Sequence, residues 1–145
     1  MDAVPGGDFH PPSPQGQREQ ALARDPRFQE AVDQFNQGDW YASHDGFEAL
    51  WHESLEPERT VLQAILQIAV AHLHRERGNL RGATVLLGEG LGRLRSCADG
   101  SLGVDLHLLR DNSAHFLEAL QQERSVDGLP APCLRPPRPM GPPVD

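Results

Sequence analysis

From residue 18 onward, apolar positions recur at spacings of three and four without the alternation of a strand, which predicts a run of helices. Asp25-Pro26 offers an N-cap followed by proline at the first helical position, and Phe28, Ala31, Val32 and Phe35 form a stripe that Gly38 ends. Asp39 caps a second helix running to about Ser54, and Pro57 opens a third that continues to Arg77 and stops at Gly78. Asn79 caps a fourth, through Ala83, Leu86, Leu87, Leu91 and Leu94, to about Cys97. A fifth covers about 103–122, with Leu106, Leu109, Phe116, Leu117 and Leu120 on its stripe.

The third helix differs from the others. Val61, Leu62, Ala64, Ile65, Leu66, Ile68, Ala69, Val70, Ala71 and Leu73 wrap most of its circumference, which marks it as the element that others surround. The fourth carries Gly82, Gly88, Gly90 and Gly92, each costing up to about 1 kcal/mol against alanine, so packing or close backbone approach must hold it. The fold expected is all-α, a single bundle of about five helices whose short connections make neighbours antiparallel. Prolines crowd residues 1–17 and the C-terminal stretch, where residues 128–145 hold seven of them. Both ends are therefore expected to be extended or disordered, leaving residues 18–123 as the domain and 124–145 as a Pro-rich tail.

Composition narrows the class of partner. The net charge is −8 and all 13 basic residues are arginine. Such a surplus of acid repels phosphate, which argues against nucleic acid and an anionic membrane surface. Cys97 and Cys133 make neither a disulfide framework nor a zinc site. No signal peptide is evident, nor any apolar run of the roughly 18 residues a membrane span needs. The expectation is a cytoplasmic protein, for which a homo-oligomer is compatible.

Candidate chemistry comes from polar residues on apolar faces. At about 100° per residue, Trp40, His44, Phe47 and Trp51 share one face of the second helix, with Glu48 between that face and Tyr41. Asp45, Ala49 and Glu53 take the other side, and Ser43 is read as pointing away from the stripe. On the third helix Gln63, Gln67 and His74 align with Val70, while His72 points the opposite way. Folding the two helices about the turn at Leu55–Pro57 brings His44 level with Gln67 and Glu48 level with Gln63. His74 then lies at the margin, about 10 Å along the axis from Gln67 at 1.5 Å per residue. His52 falls too far from His44 for one ion to bind both.

The run Phe35-Asn36-Gln37-Gly38-Asp39, followed by His44-x-x-x-Glu48-x-x-Trp51, resembles the signature of a prokaryotic family called domain of unknown function 309. The later block from Leu62-Gln63 through Gln67-Ile68-Ala69 to Arg77-Gly78-Asn79 and Gly82-Ala83 resembles it too, and the likeness covers roughly residues 26–120. The resemblance implies an all-helical fold in bacteria or archaea and an important His44/Glu48 motif. Metal binding is a suggestion attached to the family, and no established activity comes with it. Asp45 departs from the glutamate that relatives often carry after the histidine.

Three readings of the His44/Glu48 cluster follow. Its members can satisfy one another as a buried network with Gln63 and Gln67. Alternatively, His44 and Glu48, with Gln63, Gln67 and His74 as weaker donors, can hold a divalent zinc, manganese or iron ion that supports metal-assisted hydrolysis. The third is metal-free acid–base chemistry, with Glu48 orienting His44 as base. The competing class is a non-enzymatic structural or interaction module, in which the cluster is the self-satisfied network and the tail prolines dock on the bundle or on a partner. Arg75, Arg77, Arg81, Arg93 and Arg95 gather near the junction of the third and fourth helices, where an anion is a secondary expectation. Trp40, Tyr41 and Trp51 are expected in the core.

Overall fold

The computed structural model describes residues 11–137. Six α-helices follow one another: α1 (Pro14–Arg24), α2 (Pro26–Asn36), α3 (Trp40–Glu53), α4 (Glu58–Glu76), α5 (Leu80–Leu94) and α6 (Leu106–Gln121). A 3-10 turn, Ser101–Gly103, precedes α6, and no strand occurs among the described residues.

The helix starts follow from local chemistry. Asp25 accepts the Arg27 amide at 2.8 Å, Asn79 that of Gly82 at 3.0 Å and Asp105 that of Leu108 at 2.9 Å. Each satisfies a donor that the first turn leaves without an intrahelical partner. Gly38 and Gly78 end α2 and α4 at φ 79° and 83°, a left-handed conformation that glycine adopts without a Cβ penalty. α5 ends at Leu94, short of Cys97, and Arg110 of α6 donates to the carbonyl oxygens of both residues at 3.0 and 3.1 Å.

The two chain ends depart from expectation. Residues 1–17 were expected to be disordered, yet α1 begins at Pro14. Ser13 accepts the Gly16 amide at 3.0 Å, and Pro14 occupies the first turn, where its missing N–H is no loss. A proline taken as a helix breaker is here a helix starter. Gln15 and Arg18 then reach the buried carboxylate of Glu58 on α4 at 3.2 and 3.3 Å, fastening α1 to the bundle.

From Pro130 to Pro137 the chain carries neither helix nor strand and docks on the bundle. Leu134 is buried, and the side chain of Asn36 holds its backbone on both sides. Residues 1–10 and 138–145 lie outside the described residues.

α4 lies between α3 and α5. It buries Val61, Leu62, Ala64, Ile65, Ile68, Ala69, Ala71 and His72, and none of its residues from Glu58 to Arg75 is fully exposed. A Cβ on Gly90 would stand 2.9 Å from Ile68 and 3.1 Å from the Ala64 carbonyl oxygen, so close approach accounts for that glycine. Gly88 and Gly92 face open space and serve no such approach.

Candidate functional site

The face that α3 turns inward consists of Trp40, Ser43, Phe47 and Leu50. Its centre is rotated by about 50° from the expected Trp40–His44–Phe47–Trp51 stripe, taking 100° per residue. Ser43, expected to point away, is fully buried, and its hydroxyl donates to the Trp40 carbonyl at 3.1 Å. The rotation carries His44 and Glu48 outward to the edge of α3, where their side chains are 24 % and 47 % exposed. Tyr41, expected in the core, is 60 % exposed on the same side. Trp40 is buried and Trp51 half-buried.

At that edge His44 stands between two acids. Its Nε2 lies 3.5 Å from Glu48 Oε2 and its Nδ1 lies 3.5 Å from Asp45 Oδ1. The glutamines expected to face them are differently placed. Gln67 turns to α5, donating to Glu89 at 3.3 Å and accepting from Arg93 at 3.2 Å. His74 pairs with Asn79 at 3.1 Å, and Gln63 is half-buried on α4. Among the described residues no hydrogen bond or ion pair joins His44 or Glu48 to Gln63, Gln67 or His74.

Register is not the reason. Trp40 donates to Glu76 at 2.9 Å, and the Arg59 guanidinium lies 3.9 Å from the Trp51 ring centroid, so the start of α3 meets the end of α4 and the reverse. The levels match the hairpin expectation, and the azimuth of α3 does not.

Among the described residues the buried histidine is His72, expected to point away from the site. It is 1 % exposed, stacked on Trp40 at a centroid distance of 4.9 Å and edge-on to Phe116 at 4.9 Å. Arg75 Nε donates to its Nδ1 at 3.2 Å, which fixes the neutral tautomer with the proton on Nε2. That Nε2 is buried without a partner. Loss of hydration, with the adjacent Arg75 charge as a second cause, pushes its pKa down to about 3. The signal was present: Val61, Ile65, Ile68 and His72 recur at spacings of four, three and four, the spacing of a core stripe.

Glu58 is a second polar group that the sequence reading missed, buried at 3 % exposure under Arg18 and Gln15. The arginines do not act as one cluster. Arg75 serves His72, and Arg93 serves Gln67.

A resident zinc, manganese or iron ion needs three or four converging donors. His44 and Glu48 supply two, with both imidazole nitrogens already turned to carboxylates. Among the described residues no three His, Cys, Asp or Glu side chains gather as a group able to hold a metal. The residues present therefore do not fit such an ion. No helix among the described residues is long and apolar enough to cross a membrane.

No curated protein matches the chain. The family described as Domain of unknown function (DUF309) matches residues 28–86. That span runs from Phe28 of α2 to Leu86 of α5 and includes His44, Glu48, Gln63, Gln67, His72 and His74. The match over residues 28–86 supports the resemblance to DUF309 read from the sequence.

Proposed function

We propose that this protein is a non-enzymatic helical interaction module, and that the outer edge of α3 is part of the surface it presents to a protein partner. The observation that carries this reading is the state of His44. A general base or a metal ligand needs one ring nitrogen free toward the reacting group. Here both nitrogens face carboxylates 3.5 Å away, on an edge that is half-open to solvent. Gln67, the amide that would polarise a substrate beside it, is held by Glu89 and Arg93. Next to this pair Tyr41 offers a large exposed ring, a residue type favoured at protein contacts because one end is apolar and the other polar. Self-association is the first arrangement to test.

The test compares the parent with His44→Ala, Glu48→Ala, Tyr41→Arg and a Glu30→Ala control. Each is examined by elemental analysis, thermal unfolding and sedimentation equilibrium. All five are expected to carry no stoichiometric metal and to stay within about 0.5 kcal/mol of one another in stability, as surface substitutions do. Association is expected in the parent and control and to weaken in Tyr41→Arg. Stoichiometric zinc, manganese or iron that disappears in both His44→Ala and Glu48→Ala and persists in Glu30→Ala would overturn the reading in favour of a metal site. A parent that is monomeric at every concentration removes the second copy as the partner.

A further inference from the structure

After α6 the chain turns back and lays an extended strap across the bundle. Its docking is unusual in what it reads. Asn36 at the end of α2 donates to the Leu134 carbonyl at 2.9 Å and accepts the Leu134 amide at 2.6 Å. Asn112 of α6 donates to the Pro130 carbonyl at 2.8 Å, and the Asp105 amide donates to the Arg135 carbonyl at 2.8 Å. All four bonds go to main-chain groups, which any extended segment offers.

From Pro130 to Pro137 full side-chain burial is confined to two anchors, while Val126 and Leu129 ahead of them pack partly buried against the core. Leu134 is 2 % exposed and Pro132 is buried, whereas Ala131, Arg135, Pro136 and Pro137 are exposed. Leu134 sits with Phe28, Val32, Leu102 and Val104 around it. Alternate anchoring with main-chain pairing is how grooves bind extended peptides: backbone bonds supply affinity and the pockets supply specificity. The prolines around the anchors hold the segment extended before it docks, which lowers the entropy lost on binding.

The strap also leaves its groove unfilled. A cavity of about 290 Å³ lies beside Ala131 and Pro132, walled by Trp40, Arg75 and Phe116.

We propose that the groove between α2 and the start of α6 is a recognition site for an extended, proline-flanked leucine segment of a partner protein, with residues 130–135 as the chain's own competitor for it. The groove takes a segment carrying a buried leucine, a proline two residues before it, and free main-chain groups at the leucine for Asn36 and four residues before it for Asn112. The covalently attached segment competes at an effective concentration on the order of millimolar. A partner therefore gains access when its own segment binds more tightly or when the strap is lifted. None of the residues named belongs to the outer edge of α3, so this site and the proposed α3 surface stand or fall separately.

The test uses the full chain and a fluorescein-labelled peptide with the sequence of residues 129–137, read by fluorescence polarisation. Leu134→Asp in the protein expels the strap. Saturable binding of the peptide to that variant is expected, at least about tenfold tighter than to the parent, whose strap competes. Adding Asn36→Ala to the variant, or replacing the peptide leucine that corresponds to Leu134 by aspartate, is expected to weaken binding by about tenfold or more. Absence of peptide binding to a Leu134→Asp chain whose circular dichroism is that of the parent would falsify the proposal. Should Leu134→Asp fail to fold, hydrogen exchange on the parent decides. The Leu134 amide is expected to exchange at least about tenfold faster than the core amides of Ile65 and Ile68, because the strap lifts without global unfolding. Equal rates would show that the strap is an inseparable part of the core and overturn the proposal.

Discussion

His44 and His72 sit on neighbouring helices and meet opposite surroundings. His44 stands at the margin of α3 between two carboxylates, with a quarter of its side chain open to solvent. His72 is sealed between Trp40 and Phe116, with one nitrogen fixed by Arg75 and the other unpartnered. The first keeps contact with water and with two acids, and no core side chain depends on it. The second must be neutral, because an imidazolium there would lose its hydration and face the Arg75 charge. The histidine with the family-motif position is thus energetically cheap, and the one that holds the core is the one the motif does not name.

The largest expected effect breaks the buried side of this comparison. Trp40 packs on Phe35 at 5.1 Å and on His72, and its indole N–H donates to Glu76 across α3 and α4. Trp40→Ala removes all three contacts and leaves a cavity where the two helices meet. It is expected to cost about 3–5 kcal/mol, the range for a large aromatic lost from a core. Denaturant unfolding checks it: a loss below about 1 kcal/mol would mean that the aromatic box does not hold α3 against α4.

The next effect separates the histidines by acid. His72 has a folded-state pKa of about 3 against 6.5 unfolded, so between these values the unfolded chain binds the extra proton. Stability contributed by His72 is therefore fully present above pH 6.5 and declines as pH falls toward 3, with a limiting slope of about 1.4 kcal/mol per pH unit. Asp25 and Glu53, whose pKa values Arg27 holds below 3.8 and 4.5, lose their contribution only at lower pH. His72 therefore acts from pH 6.5 to 4.5, ahead of these two carboxylates. His72→Gln is expected to flatten the curve of stability against pH there, measured by denaturant unfolding across the interval, and an unchanged slope would remove His72 as its source.

Much of the fold was legible because its signals are local. Asp25, Asn79, Gly38 and Gly78 mark helix ends through groups within a few residues, and each acts as its chemistry dictates. Pro14 was misread because proline both breaks and starts helices, and only Ser13 ahead of it distinguishes the two cases. The level of the α3–α4 hairpin was also legible, since counting from the turn fixes it. The azimuth was not. Two aromatics at its edge outweighed Ser43 and Leu50, so the stripe on α3 was centred too near His44. Ser43 buries well because its hydroxyl folds back on the Trp40 carbonyl, a pairing that hydrophobicity alone does not reveal. For the same reason Gln67 was aimed at α3, when its partners Glu89 and Arg93 belong to α5, a helix that hairpin counting had not brought in. The docked tail depended on Asn36 and Leu134, far apart in sequence, and no local pattern announces such a pairing.

The smallest expected effect tests the open side of the comparison. In His44→Ala, Glu48→Ala and the double variant, the coupling between the two side chains is the difference between the double change and the sum of the single ones. Both partners keep contact with water, so their attraction is screened and offset by the freedom lost in holding two side chains together. The coupling is expected to stay under about 0.5 kcal/mol and to shrink further in 1 M salt, where charges are screened within about 3 Å. A salt-resistant coupling above about 2 kcal/mol would require a dry, well-aligned pair. That outcome would bring His44 and Glu48 back into the interior with His72, and the contrast between the two histidines would be lost.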